Sequence, residues 1–197
     1  NCEKLTSVNF EGEVTYIGTH AFYNTGIEVY SKDGTRIKTY RNDNSDLNNN
    51  IVLCLTERDS KIWAGTDGGG INIIDPENDS IKTLTHVAGD PFSLPAHSIK
   101  CIYTDSYGNI WAGSIRDGLI GVSSSKMATH SDVHIGMHTG LSNPTVLCLY
   151  QGTNSEDIWI GTDGEGLNRF NPKTHTFTHY ESTLKTKVVS IASYSQT

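Results

Sequence analysis

The 197-residue chain contains no apolar run near the ~18–20 residues that a membrane-spanning helix needs, so no membrane contact is expected within it. Basic charge is also scarce: 15 Lys and Arg against 22 Asp and Glu leave a net charge of −7. That argues against a nucleic-acid partner and against adhesion to anionic membranes. Sustained helical spacing is absent as well, which removes the all-helical and α/β classes. The four cysteines do not form the dense pattern of a disulfide scaffold. The chain opens on Asn1 and Cys2, with neither an initiator Met nor a charged-then-apolar leader, and reads as a piece of a longer protein. It contains no G-x-x-x-x-G-K-[ST], no G-x-S-x-G, no H-E-x-x-H and no calcium-loop series of spaced Asp and Asn. No cofactor, metal or catalytic set is therefore expected.

What is present is turn chemistry and a repeat. Nineteen glycines, with many Asn, Asp, Ser and Thr, separate short runs rich in Ile, Val, Thr, Tyr and Trp, the pattern of an all-β chain. "IVLCLTERDSKIWAGTDGGGINIID" (51–75) recurs as "SIKCIYTDSYGNIWAGSIRDGLIGV" (98–122) and as "TVLCLYQGTNSEDIWIGTDGEGLNRFN" (145–171). Trp63, Trp111 and Trp159 are 48 residues apart, and Tyr16 holds the same place 47 residues before Trp63. Each unit divides into four strands; in the second they are 51–55, 62–65, 70–74 and 81–84. Runs such as "VLCL" and "IWIG" are apolar on both faces, as a strand must be when its sheet lies between neighbours. Four-stranded units of this length with a recurrent Trp predict a partial β-propeller. Its four blades are placed at 1–48, 49–96, 97–143 and 144–186, with the first strand of a fifth in 187–197. A third strand, not a helix, follows "DGGG", so the glycines serve a turn and not a phosphate.

The segments "NSEDIWIGTDGEGLNRFNPKTHTFTHY" (154–180) and "KIWAGTDGGGINIIDP" (61–76) resemble the two-component regulator propeller repeat. "GNIWAGSIRDGLIGV" (108–122) departs from it by Ser114 and by lacking the aspartate-proline ending; the first unit keeps only "YIGTH" and "GIEVY". The resemblance implies the periplasmic sensor region of a hybrid histidine kinase of Bacteroidetes, with rings of about seven blades. It implies an oligosaccharide or other small ligand, and as partners the remaining blades or a second copy of the chain. The kinase modules and membrane span of such proteins lie outside these residues. Two other readings stay open: a propeller lyase or hydrolase similar to streptogramin lyase, and a plain scaffold for protein contacts.

Recurrence at one strand position makes Tyr16, Trp63, Trp111 and Trp159 blade-packing residues and not sugar platforms. Cys54, Cys101 and Cys148, each third in its inner-strand run, are read as buried free thiols, and Cys2 as free to pair between molecules. Repeated aspartates such as Asp67 and Asp163 are expected to satisfy backbone donors at their turns. His130, His134 and His138 share one face of a strand or helix and are weak candidate ligands for Zn or Ni; a solvated outer strand is the favoured reading. A ligand is expected on the rim formed by the loops after strands two and four. These are 19–26, 66–70, 114–118 and 162–166, with the linkers 41–50, 86–98 and 137–145. His20, Tyr23, Asn24, Arg116, Asp117 and Glu165 are the candidate binding residues, because a sugar needs planar hydrogen-bonding groups and an aromatic face.

Overall fold

A computed structural model describes residues 16–17, 26–124, 133–138, 140–152, 155–180 and 186–193, with 16–17, 123–124 and 133–138 described by their backbone alone. Every regular element among them is a strand, and no helix is long and apolar enough to cross a membrane. Tyr16–Ile17 (β1), Ile27–Tyr30 (β2) and Arg36–Tyr40 (β3) form one sheet. Val52–Arg58 (β4), Lys61–Thr66 (β5), Ile71–Ile74 (β6) and Ile81–Leu84 (β7) form a second, in chain order. Ile99–Thr104 (β8), Ile110–Ser114 (β9), Leu119–Ser124 (β10) and Val133–His138 (β11) form a third. Val146–Gln151 (β12), Ile158–Thr162 (β13), Leu167–Asn171 (β14) and Thr176–Tyr180 (β15) form the fourth. The chain divides into two compact units at residue 102, inside β8.

The strands expected in the second repeat are found, with two lengthened. The first runs on to Arg58 and the second spans Lys61–Thr66, because a tight turn with Asp59 and Ser60 at φ 52° and 59° lets the ladder continue to Arg58↔Lys61. The linker read as 137–145 begins later, since β11 reaches His138.

In the unit before residue 103, the core joins the first two sheets. Ile27, Val29 and Tyr40 pack with Leu47, Val52, Leu55, Ile62, Ala64 and Ile74. All four residues of β6 are buried, and full burial of an Ile contributes ~1.5–3 kcal/mol. In the unit from residue 103 on, Ile110, Ala112, Ile120, Ile158, Ile160 and Phe170 are wholly buried. The Trp111 ring meets Phe170 edge-on at 5.3 Å.

Two recurrent devices fix this geometry. A bulge interrupts the ladder between Val52 and Cys54, and another between Val146 and Cys148, so that each Cys faces a glycine, Gly65 or Gly161. A Cβ on Gly65 would lie 2.6 Å from Cys54 Sγ and 2.9 Å from the Ile99 carbonyl oxygen, so the backbone of the next strand approaches where only glycine fits. The second device caps the turn between strands three and four. Asp75 Oδ1 accepts from Glu77 N and the Asp79 amide donates to the Asp75 carbonyl; Asn171 does the same for Lys173 and His175. Asp79 and His175 take φ 65° and 57° at matching places. The aspartate- or asparagine-proline ending of the repeat is thus a turn cap.

The tryptophans divide by position. Trp63 and Trp111 are buried, whereas Trp159 is half-buried, lying against Tyr180 at 5.3 Å with Arg169 over its ring. Cys54 and Cys101 are buried free thiols; Cys148 is free but half-buried, a departure from the expected burial. Among the described residues no paired strand follows β15. Residues 186–193 lie beside the fourth sheet, where the Val188 amide donates to the Thr162 carbonyl. Tyr16 contributes only its backbone to the description, and Cys2 lies outside the described residues.

Candidate functional site

The turns expected to hold a ligand follow β5 in the first unit, and β9 and β13 in the second. A buried hydroxyl closes each: Thr66 Oγ1 donates to the Gly70 carbonyl at 3.0 Å, Ser114 Oγ to Gly118 at 3.0 Å, and Thr162 Oγ1 to Gly166 at 2.9 Å. This bond explains the hydroxyl residue after "W-x-G" in each repeat, and why Ser114 substitutes for Thr without loss. The linkers are fastened to these turns by asparagines. Asn49 Nδ2 donates to the Asp67 carbonyl and Asn143 Nδ2 to that of Asp163, while their side-chain oxygens accept from Ile51 N and Thr145 N.

Deeper asparagines complete the pattern. Asn72 and Asn168, both fully buried, accept from Asn48 N and Ser142 N through Oδ1. Asn168 Nδ2 also donates to Ser142 Oγ at 2.8 Å. Much of the polar chemistry in linkers 41–50 and 137–145 therefore holds the scaffold. Sequence reasoning missed these residues, although the signal was there: Asn72 and Asn168 each follow their Trp by nine positions.

The turn aspartates do not work as expected. The Asp67 carboxylate accepts from Ser98 Oγ at 2.7 Å, and Asp163 pairs with Lys187 at 2.6 Å. Their backbone amides, not their side chains, make the turn bonds, to the Ile51 and Thr145 carbonyls. The carboxylate that does satisfy backbone donors is Asp105, in the turn between β8 and β9. Its Oδ1 accepts from Tyr107 N and Asn109 N, and its Oδ2 from Asn109 Nδ2 and Trp111 Nε1, all within 2.9 Å.

Of the candidate binding residues, Arg116 and Asp117 share the turn after β9, and Glu165 occupies the matching turn after β13. Arg116 is exposed; Asp117 and Glu165 are half-buried. Asp117 is held by its amide, which donates to Ser114 Oγ at 2.8 Å. Arg116 has φ 86°, and the equivalent residues Gly68 and Gly164 have φ 92° and 97°. Its guanidinium has no hydrogen-bond or ion-pair partner among the described residues. His20, Tyr23 and Asn24 lie outside the described residues, as does His130. His134 and His138 fall on one face of β11, opposite Ser123 and Leu119. No cluster of three metal-ligating side chains exists among the described residues.

Residues 93–116 match the family model for the two component regulator propeller, so the resemblance carried by the repeats is met in the third of them. The chain is similar to the extracellular domain of the hybrid two component system BT3049 from B. thetaiotaomicron, at 23% identity and a TM-score of 0.68, over 89% of this chain and 22% of that one. It is similar to the extracellular domain of the hybrid two component system BT4673 of the same organism, at 18% identity and a TM-score of 0.69, over 91% and 22%. PorZ, an essential surface component of the type-IX secretion system of Porphyromonas gingivalis, aligns at 15% identity and a TM-score of 0.63, over 86% and 24%. No curated protein matches the chain. The fold is that of a β-propeller whose blades are the four sheets, and the chain spans about a fifth of the length of these structures.

Proposed function

We propose that this chain is the ligand-binding part of a periplasmic sensor in a hybrid two-component signalling protein, that its ligand is an oligosaccharide, and that it binds and relays without catalysing. Similarity to extracellular domains of two-component systems supports the sensor reading. Capture of the ligand would favour one state of the parent receptor over another, which requires only a difference in affinity between the two.

Arg116 carries the choice of site. A left-handed backbone costs a residue other than glycine ~1–2 kcal/mol; at the position of Arg116 the sister turns carry Gly68 and Gly164, and the turn after β13 carries its own left-handed residue one position on, Glu165 at φ 64°. The fold gains nothing visible from the arginine, whose side chain is exposed at the rim. A planar guanidinium offers paired donors suited to neighbouring hydroxyls, and Asp117 beside it supplies an acceptor.

The test is thermal unfolding of the chain against a panel of plant and host-glycan oligosaccharides. A saturable rise in Tm with one of them is expected. Arg116→Gly should raise the unliganded Tm and abolish that rise. An undiminished response in Arg116→Gly removes the site from this rim, and no response to any oligosaccharide removes the ligand class. The coding DNA downstream should encode a membrane span followed by kinase motifs; a stop codon without them ends the sensor reading.

A further inference from the structure

The turns after β5 and β9 share one internal plan. Beside the hydroxyl bonds described above, the Thr66 amide donates to the Gly70 carbonyl at 3.0 Å, as the Ser114 amide does to that of Gly118. Gly70 N and Gly118 N then donate outward alike, to the His97 and Pro144 carbonyls at 2.8 and 2.9 Å. What separates these turns, and the matching one after β13, is the residue that follows the hydroxyl: Asp67, Ile115 or Asp163.

Asp67 is tied three times to the linkers that flank its blade. Its amide donates to the Ile51 carbonyl at 2.9 Å, its carbonyl accepts from Asn49 Nδ2 at 2.8 Å, and its carboxylate accepts from Ser98 Oγ at 2.7 Å. Asp163 repeats all three, with the Thr145 carbonyl at 3.0 Å, Asn143 Nδ2 at 2.9 Å and Lys187 Nζ at 2.6 Å. Ile115, half-buried, makes none of these bonds among the described residues. Ala96 stands in its linker where the other two have Asn49 and Asn143, so no side-chain amide is supplied. Thr145 stands where Ser98 and Lys187 stand, and its hydroxyl has no partner among the described residues. The next residue is Arg116, whose φ of 86° is itself costly for a side-chain-bearing residue.

We infer that the turn after β9 is a flap: residues 115–117 open and close about Ser114 and Gly118, and Ile115 is the residue that releases them. Each missing tie lowers the free energy of local opening, and binding loops are drawn from such segments of low local stability. A ligand that engages Arg116 would favour the closed form, a shift not open to turns that three ties already hold. That use of the flap rests on Arg116 being a ligand contact of the proposed sensor; the mobility of the flap does not.

Amide hydrogen exchange in the 197-residue chain, read residue by residue, compares Gly118 with Gly70, two amides that make the same bond in the same kind of turn. Corrected for intrinsic rates, Gly118 should exchange ~10-fold or more faster. Ile115→Asp restores a carboxylate for the Thr145 hydroxyl and should slow Gly118 by ~3-fold or more. Asp67→Ile makes the opposite change in the other turn and should speed Gly70, whether or not Ile115→Asp folds. Equal rates at Gly118 and Gly70 overturn the flap. Gly70 unchanged in Asp67→Ile, or Gly118 unchanged in a folded Ile115→Asp, overturns the role of Ile115. An oligosaccharide that raises Tm should slow Gly118 and leave Gly70 alone; unaltered exchange at Gly118 in that complex overturns closure on the ligand. If no oligosaccharide raises Tm, the ligand class fails while faster exchange at Gly118 still upholds the flap.

Discussion

Cys148 Sγ lies 3.5 Å from the Val188 carbonyl oxygen, the partnership that Cys54 Sγ makes with the Ile99 carbonyl at 3.9 Å. Each thiol reaches over the glycine that faces it across the ladder, and each meets the opening backbone of the next repeat. Val188 therefore occupies the place of Ile99, the first residue of β8. The expectation of a fifth inner strand in 187–197 is supported at Val188 by this contact.

Because the approach is that close, Gly65→Ala should destabilise the chain by ~1–3 kcal/mol, since the added methyl meets Cys54 Sγ, Ile99 Cγ2 and backbone at once. Urea unfolding followed by Trp fluorescence measures it. A midpoint equal to that of the unsubstituted chain would mean that the sheets slide apart at no cost.

Asp105→Ala removes four hydrogen bonds from one buried carboxylate and strands Trp111 Nε1 in the core. A loss of ~3 kcal/mol is expected, with altered Trp emission in whatever still folds. Asp105→Asn should recover part of it, because the amide oxygen still accepts. Equal stability of the two variants would show that charge alone matters there.

Tyr40 predicts a response to alkali. Burial, and then the hydrogen bond that its hydroxyl donates to Asp79 at 2.8 Å, raise the phenol well above its usual value. Folding thus favours the neutral phenol. That stabilisation is complete below pH ~10 and is lost as pH rises beyond it. Tyr40→Phe should be ~1 kcal/mol less stable at neutral pH, with the difference shrinking above pH ~10. On the acid side Asp79 is lowered, first by the hydrogen bond from Lys38 and then by that from Tyr40. Its contribution is present above pH ~4 and disappears as pH falls below. Thermal unfolding across pH checks both limbs, and parallel curves for the two proteins would refute the linkage.

Asn168→Ala should cost ~2 kcal/mol, because the Ser142 amide, the Ser142 hydroxyl and His179 Nδ1 all meet that buried side chain. Asn143→Ala, whose side chain is less enclosed, should cost less. Hydrogen exchange at Ser142 and Thr145 distinguishes the two losses; unchanged exchange in both would leave the asparagines without a fastening role.

The blades were legible because a repeat samples each packing environment several times. A Trp in β5, β9 and β13 and a glycine opposite each bulged Cys recur in register, so one reading of position serves all copies. Side chains that act once were harder to read. Asp105 looks like any turn aspartate until Trp111 Nε1 is found on it, and Gln151 becomes informative only when its carbonyl is seen committed to Ser106. Position along the chain also misled at Asp67 and Asp163, where the backbone makes the turn bonds and the carboxylates turn to Ser98 and Lys187. Arg116 could be singled out from sequence by type, but its strained φ could not.

The turn between the first two strands grows along the chain, yet the ladder does not slip. Thr56 pairs with Trp63 and Tyr150 with Trp159, and Cys54 and Cys148 keep their glycines. All the extra length is discharged beyond the last paired residues. Insertion at this place consequently leaves the register of its own sheet unchanged, so the two ends of a blade are free to diversify at different rates. One end is bound by its asparagine fastenings to a fixed loop geometry. The other accepts new residues singly, and each acquisition alters a recess without renegotiating the scaffold beneath it.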